Sequence, residues 1–290
     1  MRGFILAAGF GTRLRPITDK LPKALVPVCG EPLLAHNLRV LHKSGVFSAI
    51  GVNSHYLHEQ MERFQRESSI PFELFYESDK IRGTGGALDF ARDFLGGDDT
   101  FLIANVDILH KFDIAELAAR FVESGRICSH VSIPTDGLGT VLYDSATGDY
   151  LGVSDDREEL KSTGSPYGER NKLLRFARND RHCEERSDEA TCLFRRKAIQ
   201  EVTNTQHIID KSILEAEFTG VAFYRREFLE FVKEDDFSVI PIWKRAASAG
   251  RAPGVIIPKK EASWWMDIGT LEALEKIETE VNNGRIDLWS

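Results

Sequence analysis

The stretch from Gly3 to Val28, GFILAAGFGTRLRPITDKLPKALVPV, constrains the chain more than any other. Phe4 to Ala8 is an unbroken apolar run bounded by glycines. It reads as a central strand buried on both faces, as in a parallel sheet. The loop Gly9-Phe10-Gly11-Thr12-Arg13 follows it, and Arg15, Lys20 and Lys23 come next. Successive backbone N–H groups in a glycine loop form a concavity for anions, and the cations beyond it suit a polyphosphate. The loop lacks the GK[ST] ending of a P-loop. It also lacks the third glycine of a dinucleotide fingerprint, where Leu14 stands.

The chain alternates strand-like and helix-like segments after this point. Pro32–Leu41 carries apolar residues at helical spacing and is closed by Gly45. Ala49–Val52 reads as a strand, His58–Phe64 as a helix and Phe72–Tyr76 as a strand. A polar, glycine-rich loop, Glu77–Gly86, leads into a helix with Leu88, Ala91 and Leu95 on one face. Thr100–Val106 is a strand that ends at Asp107, and Ile114–Val122 is a helix. Four strand-then-helix units predict an α/β fold: a doubly wound, mostly parallel sheet with helices on both faces. Three loops, Gly9–Arg13, Glu77–Gly86 and the turn at Asp107, then share the carboxyl edge of the sheet, where such sheets bind ligands.

The texture changes from Ser129. Short β-like runs with turns (SHVSIP, GTVLYD, YLGVS) indicate a smaller, more antiparallel extension, with a further short strand at Lys172–Phe176. Residues 177–215 are dense in charges of both signs, resemble the translated form of dispersed bacterial repeat elements, and read as an inserted surface segment. A helical subdomain is the alternative there. EFTGVAFY from Glu217 is a strand, Arg226–Val232 and Val239–Ala247 are helices, and Gly254–Ile257 is a strand. The motif Trp264-Trp265-Met266-Asp267-Ile268-Gly269-Thr270 precedes a last helix, Leu271–Val281. The organisation expected is one domain over 1–290, in two halves of different texture, 1–128 and 129–290.

Composition excludes some classes. A net charge of −8 is unsuited to binding nucleic acid through broad electrostatics. The four cysteines form no CxxC pair and have no histidine at metal-finger spacing, so they read as reduced thiols of a cytoplasmic protein. The apolar run at the N-terminus is too short for a signal or a membrane span. No HExxH pattern and no obvious covalent nucleophile is present.

The run GFGTRLRP, Thr18 and Leu21-Pro22-Lys23-Ala24-Leu25 resembles the signature GxGTRLxPxTxxxPKxLxPV of the sugar-1-phosphate nucleotidyltransferases. The resemblance implies that Ala8, Gly9, Gly11 and Thr12 carry the base and phosphates of a nucleoside triphosphate. It implies that Arg13 meets the leaving pyrophosphate and Lys23 the phosphates at the reacting centre. Asp107 fits the family's metal-binding aspartate, although it would also serve as a helix cap or turn residue. Asp267, in a W-x-D-x-G-T pattern, fits the second, with Thr270 or Gly269 able to cap the following helix. The implied metal is Mg²⁺.

Glu77 with Gly85 and Gly86 resembles the family's E…GTAG loop against base and ribose; a plain helix-entry loop is the alternative. Gly139 and Thr219 resemble sugar-side positions, and the resemblance implies a nucleotide-binding half at 1–128 and a sugar-binding half at 129–290. The E-K-P segment that many members carry is absent after Phe176. The implied reaction joins a nucleoside triphosphate and a sugar 1-phosphate into a nucleotide-sugar and pyrophosphate. UTP is the favoured triphosphate, with GTP, dTTP and CTP as alternatives. No nucleic acid and no membrane are expected as partners, and a homodimer is compatible. A choline-phosphate type of cytidylyltransferase and a non-catalytic nucleotide-sugar binder are the other readings. The chain has no hexapeptide repeat, so no fused β-helix acyltransferase domain is expected.

Overall fold

A computed structural model describes residues 1–135, 140–153, 213–259 and 264–289. The strand expected at Lys172–Phe176 and the insertion expected at 177–215 lie outside these residues, except for positions 213–215. Those three open a strand that runs to Arg225.

In chain order the elements are β1 (Arg2–Leu6), β2 (Pro27–Val28), β3 (Glu31–Pro32), α1 (Leu33–Ser44), β4 (Ala49–Ser54), α2 (His58–Glu67) and β5 (Glu73–Tyr76). Then come α3 (Gly83–Phe90), α4 (Arg92–Leu95), β6 (Thr100–Asn105), β7 (Ile108–His110), α5 (Ile114–Ser124) and β8 (Cys128–Pro134). They are followed by β9 (Val141–Asp144), β10 (Tyr150–Val153), β11 (Ile213–Arg225), α6 (Ile240–Ser248), β12 (Gly254–Ile256), β13 (Trp265–Asp267) and α7 (Leu271–Asn282). None of the described helices is long and apolar enough to cross a membrane.

Contacts gather Met1–Ile133 and Thr219–Ser290 into one compact unit and Pro134–Phe218 into a second. In the first unit, β5, β4, β1 and β6 lie side by side and parallel. The Val221–Arg225 part of β11 joins β6 antiparallel, and β8 and β12 pair in parallel beyond it. From β1 the chain winds outward through β4 to β5, then returns to the other side of β1 as β6. That reversal opens a crevice at the carboxyl end of β1.

Alternation along β1 splits the core between the two faces. Ile5 packs with Leu34 and Leu38 of α1, Met61 of α2 and Leu117 of α5. Phe4 faces the other way, against Phe75 and Phe94. Gly51 lies beneath them, and a methyl there would sit 2.7 Å from the Phe4 ring. Helix ends follow local chemistry. Gly45 and Gly125 close α1 and α5 in the left-handed conformation. Asp113 caps α5 through the Glu116 N–H, and Thr270 caps α7 through the Ala273 N–H.

Several expected boundaries shift. β1 stops at Leu6, because Ala7 N–H leaves the sheet for the side chain of Asn53. Pro32 precedes α1 instead of opening it. Gly83–Gly86 is the first turn of α3, not a loop before it. Arg226–Phe231 is a 3₁₀ helix. In the second unit, β9 and β10 form an antiparallel hairpin, and Ile213–Ala216 of β11 pairs with β9. Asp144 Oδ1 accepts the Ala146 and Thr147 N–H groups and shapes the hairpin turn.

Candidate active site

The loop after β1 is shaped by its glycines. Gly11 adopts φ +62°, and a methyl there would fall 2.9 Å from Lys23 Cβ and 3.0 Å from Thr18 Cγ2. The Thr18 hydroxyl donates to Gly11 O at 2.8 Å. Thr12–Leu14 is a single 3₁₀ turn that points Arg13 outward, with its side chain mostly exposed. The next turn is held to α2 and to the loop before it. The Tyr56 hydroxyl donates to Asp19 O, and Gln60 Nε2 donates to Lys20 O. At Gly9 a methyl would meet nothing within 4 Å, which leaves that backbone open to a ligand.

Ala8, Gly9, Gly11, Lys23 and Asp107 line one cavity of about 250 Å³ at the carboxyl edge of β1 and β6. Asn53, Gly83, Thr84 and Asn105 complete much of its wall. Lys23 is largely buried, and its ammonium donates to Asp107 Oδ2. Asp107 is held from below: Asn37 on α1 donates to Val106 O at 3.0 Å and to Leu33 O at 3.1 Å.

Asp267 reaches the same place through a second, two-stranded ladder. β13 pairs antiparallel with β7, with Asp267 opposite Ile108, and Ile268 N–H donates to Asp107 O at 2.8 Å. This three-rung ladder brings together two carboxylates that lie 160 positions apart. Arg13 Nη2 lies 3.9 Å from Asp267 Oδ2, and both side chains are well exposed, so solvent screens the pair. Gly269 makes room for it, since a methyl there would fall 2.5 Å from Arg13 Nη2 and 2.7 Å from Asp267 Oδ1.

Burial, followed by the negative charge of Asp107, raises the Asp267 carboxyl above its ordinary range, while Lys23 and Arg13 pull it back. Its buried Oδ1 takes no side-chain donor, and the Gly269 backbone lies against the carboxylate. A part-buried carboxylate with lone pairs to spare beside a second carboxylate fits a divalent cation. Among the described residues no cluster of three or more His, Cys, Asp or Glu side chains could hold a metal. Any remaining ligands would therefore come from phosphate or water, as suits Mg²⁺.

The other expected positions divide. Thr12 lies in the 3₁₀ turn that carries Arg13. Glu77 is fully buried, and both carboxylate oxygens are engaged by protein donors, Asn53 Nδ2 at 2.7 Å and Arg82 N–H at 2.8 Å. Gly85 and Gly86 are buried against the segment 236–238. A methyl on Gly85 would lie 2.7 Å from Ser238 O, and one on Gly86 3.1 Å from Asp236 O. Gly83 and Thr84, at the start of the same turn, are the residues of this segment that line the cavity.

Thr219 is buried inside the sheet. Its hydroxyl donates to Val131 O at 2.7 Å, and its carbonyl accepts from Trp265 Nε1. The side chain is thus occupied within the protein and is absent from the cavity lining. Gly139 lies outside the described residues. Asn53 and Asn37 are polar positions that the sequence reading missed. Each sits beside apolar residues of a predicted buried element, VNS after Ile50 and LAHNL in α1, and an asparagine at such a position is the one signal available.

Residues 2–137 match the family model described as nucleotidyl transferase. Mannose-1-phosphate guanylyltransferase catalytic subunit beta of Xenopus tropicalis is 31% identical over 156 residues, covering 51% of this chain and 43% of its own. The mannose-1-phosphate guanyltransferase of Hypocrea jecorina is 39% identical over 123 residues, covering 40% of this chain and 33% of its own. The chain thus spans less than half the length of these relatives.

Among solved structures, a Bacillus anthracis protein described as a glucose-1-phosphate thymidylyltransferase superimposes with a TM-score of 0.65. It is 17% identical and covers 99% of this chain and 96% of its own. HddC from Yersinia pseudotuberculosis, complexed with GMP-PN, gives a TM-score of 0.63 at 16% identity, covering 97% of this chain and 99% of its own. These two share the mixed, mostly parallel fold.

Proposed function

We propose, for a chain that belongs through residues 2–137 to the sugar-1-phosphate nucleotidyltransferase family, that it transfers a nucleotidyl group from a nucleoside triphosphate to a sugar 1-phosphate. The observation that carries this reading is the convergence of two cations and two carboxylates, Lys23 with Asp107 and Arg13 with Asp267, beside one open glycine loop. A phosphate oxygen of the sugar phosphate attacks the α-phosphorus in line, a new P–O bond forms, and the bond to pyrophosphate breaks. Such chemistry rests on positioning and charge neutralisation and needs no covalent nucleophile.

Each part of the site has a role in this reading. The open backbone at Ala8–Gly11 receives phosphate oxygens in an amide concavity. Arg13, exposed and jointed only loosely to Asp267, swings to the departing pyrophosphate and forks onto its oxygens. Lys23 transfers its ammonium from Asp107 to the phosphates at the reacting centre. Asp107 and Asp267, once their cations have moved, would hold Mg²⁺, which supplies charge neutralisation on the phosphate oxygens.

The relatives' names refine the donor and acceptor to be tried first. Guanylyl transfer to mannose 1-phosphate is named for the sequence relatives. GTP therefore takes precedence over UTP, with dTTP and CTP as further candidates. Pyrophosphate release, measured over these triphosphates and a panel of sugar 1-phosphates with Mg²⁺, tests the reading. Release with one pair is the expected result. Triphosphate binding without release from any pair would replace it with a non-catalytic nucleotide binder.

A further inference from the structure

We infer that Asn53 is a positioning residue, fixing the phosphate-loop backbone through a buried relay from Ala7 through Asn53 and Glu77 to Arg82; the inference rests on the triphosphate reading above. Asn53 stands near the end of β4, is 2% exposed, and borders the cavity together with Ala7. Its Oδ1 accepts Ala7 N–H at 2.6 Å, and its Nδ2 donates to Glu77 Oε1 at 2.7 Å. Glu77 Oε2 accepts Arg82 N–H at 2.8 Å, immediately before α3. The backbone of Glu77 is also tied, since its N–H donates to Ser54 O at 2.9 Å.

The polarity of the relay is forced. Ala7 N–H and Arg82 N–H can only donate, and an ionised Glu77 can only accept. The group between Ala7 and Glu77 must therefore accept at one end and donate at the other, which a primary amide does. No ion pair to Glu77 is formed among the described residues, and its oxygens accept from Asn53 and from the amide at the start of α3. A fully buried carboxylate without a cation is costly. Its presence makes sense if its work is to hold Asn53, and through it Ala7. Ala7 is where the chain leaves β1 for the loop that would meet phosphate, so a shift there moves every amide to Gly11. In this assignment Glu77 shapes the site from behind and does not itself touch the nucleotide.

The test reverses the polarity. In N53D/E77Q the new aspartate accepts Ala7 N–H and also accepts from the glutamine amide, whose oxygen takes Arg82 N–H. All three hydrogen bonds and the net charge are kept. In N53D alone two carboxylates face each other, and in E77Q alone a donor and an acceptor must share one amide against two fixed donors. The probes are GTP, UTP, dTTP and CTP, each with Mg²⁺, titrated calorimetrically into the full chain.

Each single variant should bind the preferred triphosphate at least roughly tenfold more weakly, as for a buried hydrogen bond left unmade. The double variant should return to within about threefold of the parent, the coupling expected for residues in one network. KM for the triphosphate should rise in the single variants while KM for the sugar 1-phosphate stays constant. If a single variant fails to fold, recovery of a cooperative melt in the double variant supports the relay. Parent-like affinity in N53D, or a double variant no better than the weaker single, overturns it. A parent chain that binds none of the four triphosphates overturns the functional reading, and the relay's role with it.

Discussion

Lys23 and Asp107, 84 residues apart in the chain, form an ion pair on the wall of the cavity at the end of β1. Each side chain is mostly buried, so each depends on the other while no ligand is bound. The same pairing of a cation with a carboxylate recurs more loosely between Arg13 and Asp267. A triphosphate and a divalent cation would satisfy all four groups at once, the cations on phosphate and the carboxylates on metal.

Lys23→Ala, Arg13→Ala, Asp107→Ala and Asp267→Ala should each lower turnover by roughly a hundredfold or more, as when one preorganised electrostatic contact is removed. Steady-state pyrophosphate release checks this. Near-normal turnover in any variant would take that residue out of the mechanism. Lys23→Ala should also lower the melting temperature in ligand-free buffer, because Asp107 is left without its partner.

Gly85→Ala separates packing from ligand contact. The added methyl would meet the Ser238 carbonyl at 2.7 Å, a backbone atom that cannot rotate away. The variant should lose about 1–3 kcal/mol of stability in urea unfolding, the usual cost of overpacking. Undiminished stability combined with weaker triphosphate binding would instead put Gly85 on the ligand side.

Gly269→Ala should behave in the opposite way. Its methyl meets the guanidinium tip of Arg13 and the Asp267 carboxylate, both ends of side chains that can move. Stability should hold, while turnover falls by about tenfold as Arg13 and Asp267 are displaced. A variant with full turnover would show that the Arg13–Asp267 approach plays no part in the reaction.

Acid sensitivity follows from two buried histidines. Burial lowers His110 to about 4 and His130 to about 3, from an ordinary value of 6.5. The unfolded chain binds these protons first, so their contribution to stability is complete above pH 6.5 and is lost as pH falls toward 4. Together they should cost about 3 kcal/mol per pH unit across that window. Denaturation midpoints at pH 7, 6 and 5 should fall accordingly, and His110→Gln should flatten the decline.

The α/β class was legible because strand and helix periods alternate cleanly up to Val122, and the glycine loop, Asp107 and the W-x-D-x-G-T motif could be read as local patterns. What escaped was decided by distant partners. Ala7 looks like strand by composition, but its N–H is drawn off by Asn53. Gly85 reads as loop chemistry but lies in the first turn of α3, packed against the Ser238 carbonyl. Thr219 resembles a sugar-side position in sequence, and its hydroxyl donates to Val131 O across the sheet. Asn53 carries no motif, and its importance lies in two hydrogen bonds to residues 46 and 24 positions away.

The short ladder between β7 and β13 has an evolutionary consequence. Three residue pairs, Trp265 with His110, Met266 with Leu109 and Asp267 with Ile108, set the spacing of the two carboxylates. The length of chain between His110 and Trp265 does not enter that distance. A slip of one rung in the ladder, by contrast, would turn Asp267 to the opposite face. A single-residue insertion within Ile108–His110 or Trp265–Asp267 would therefore separate the two carboxylates and be purged.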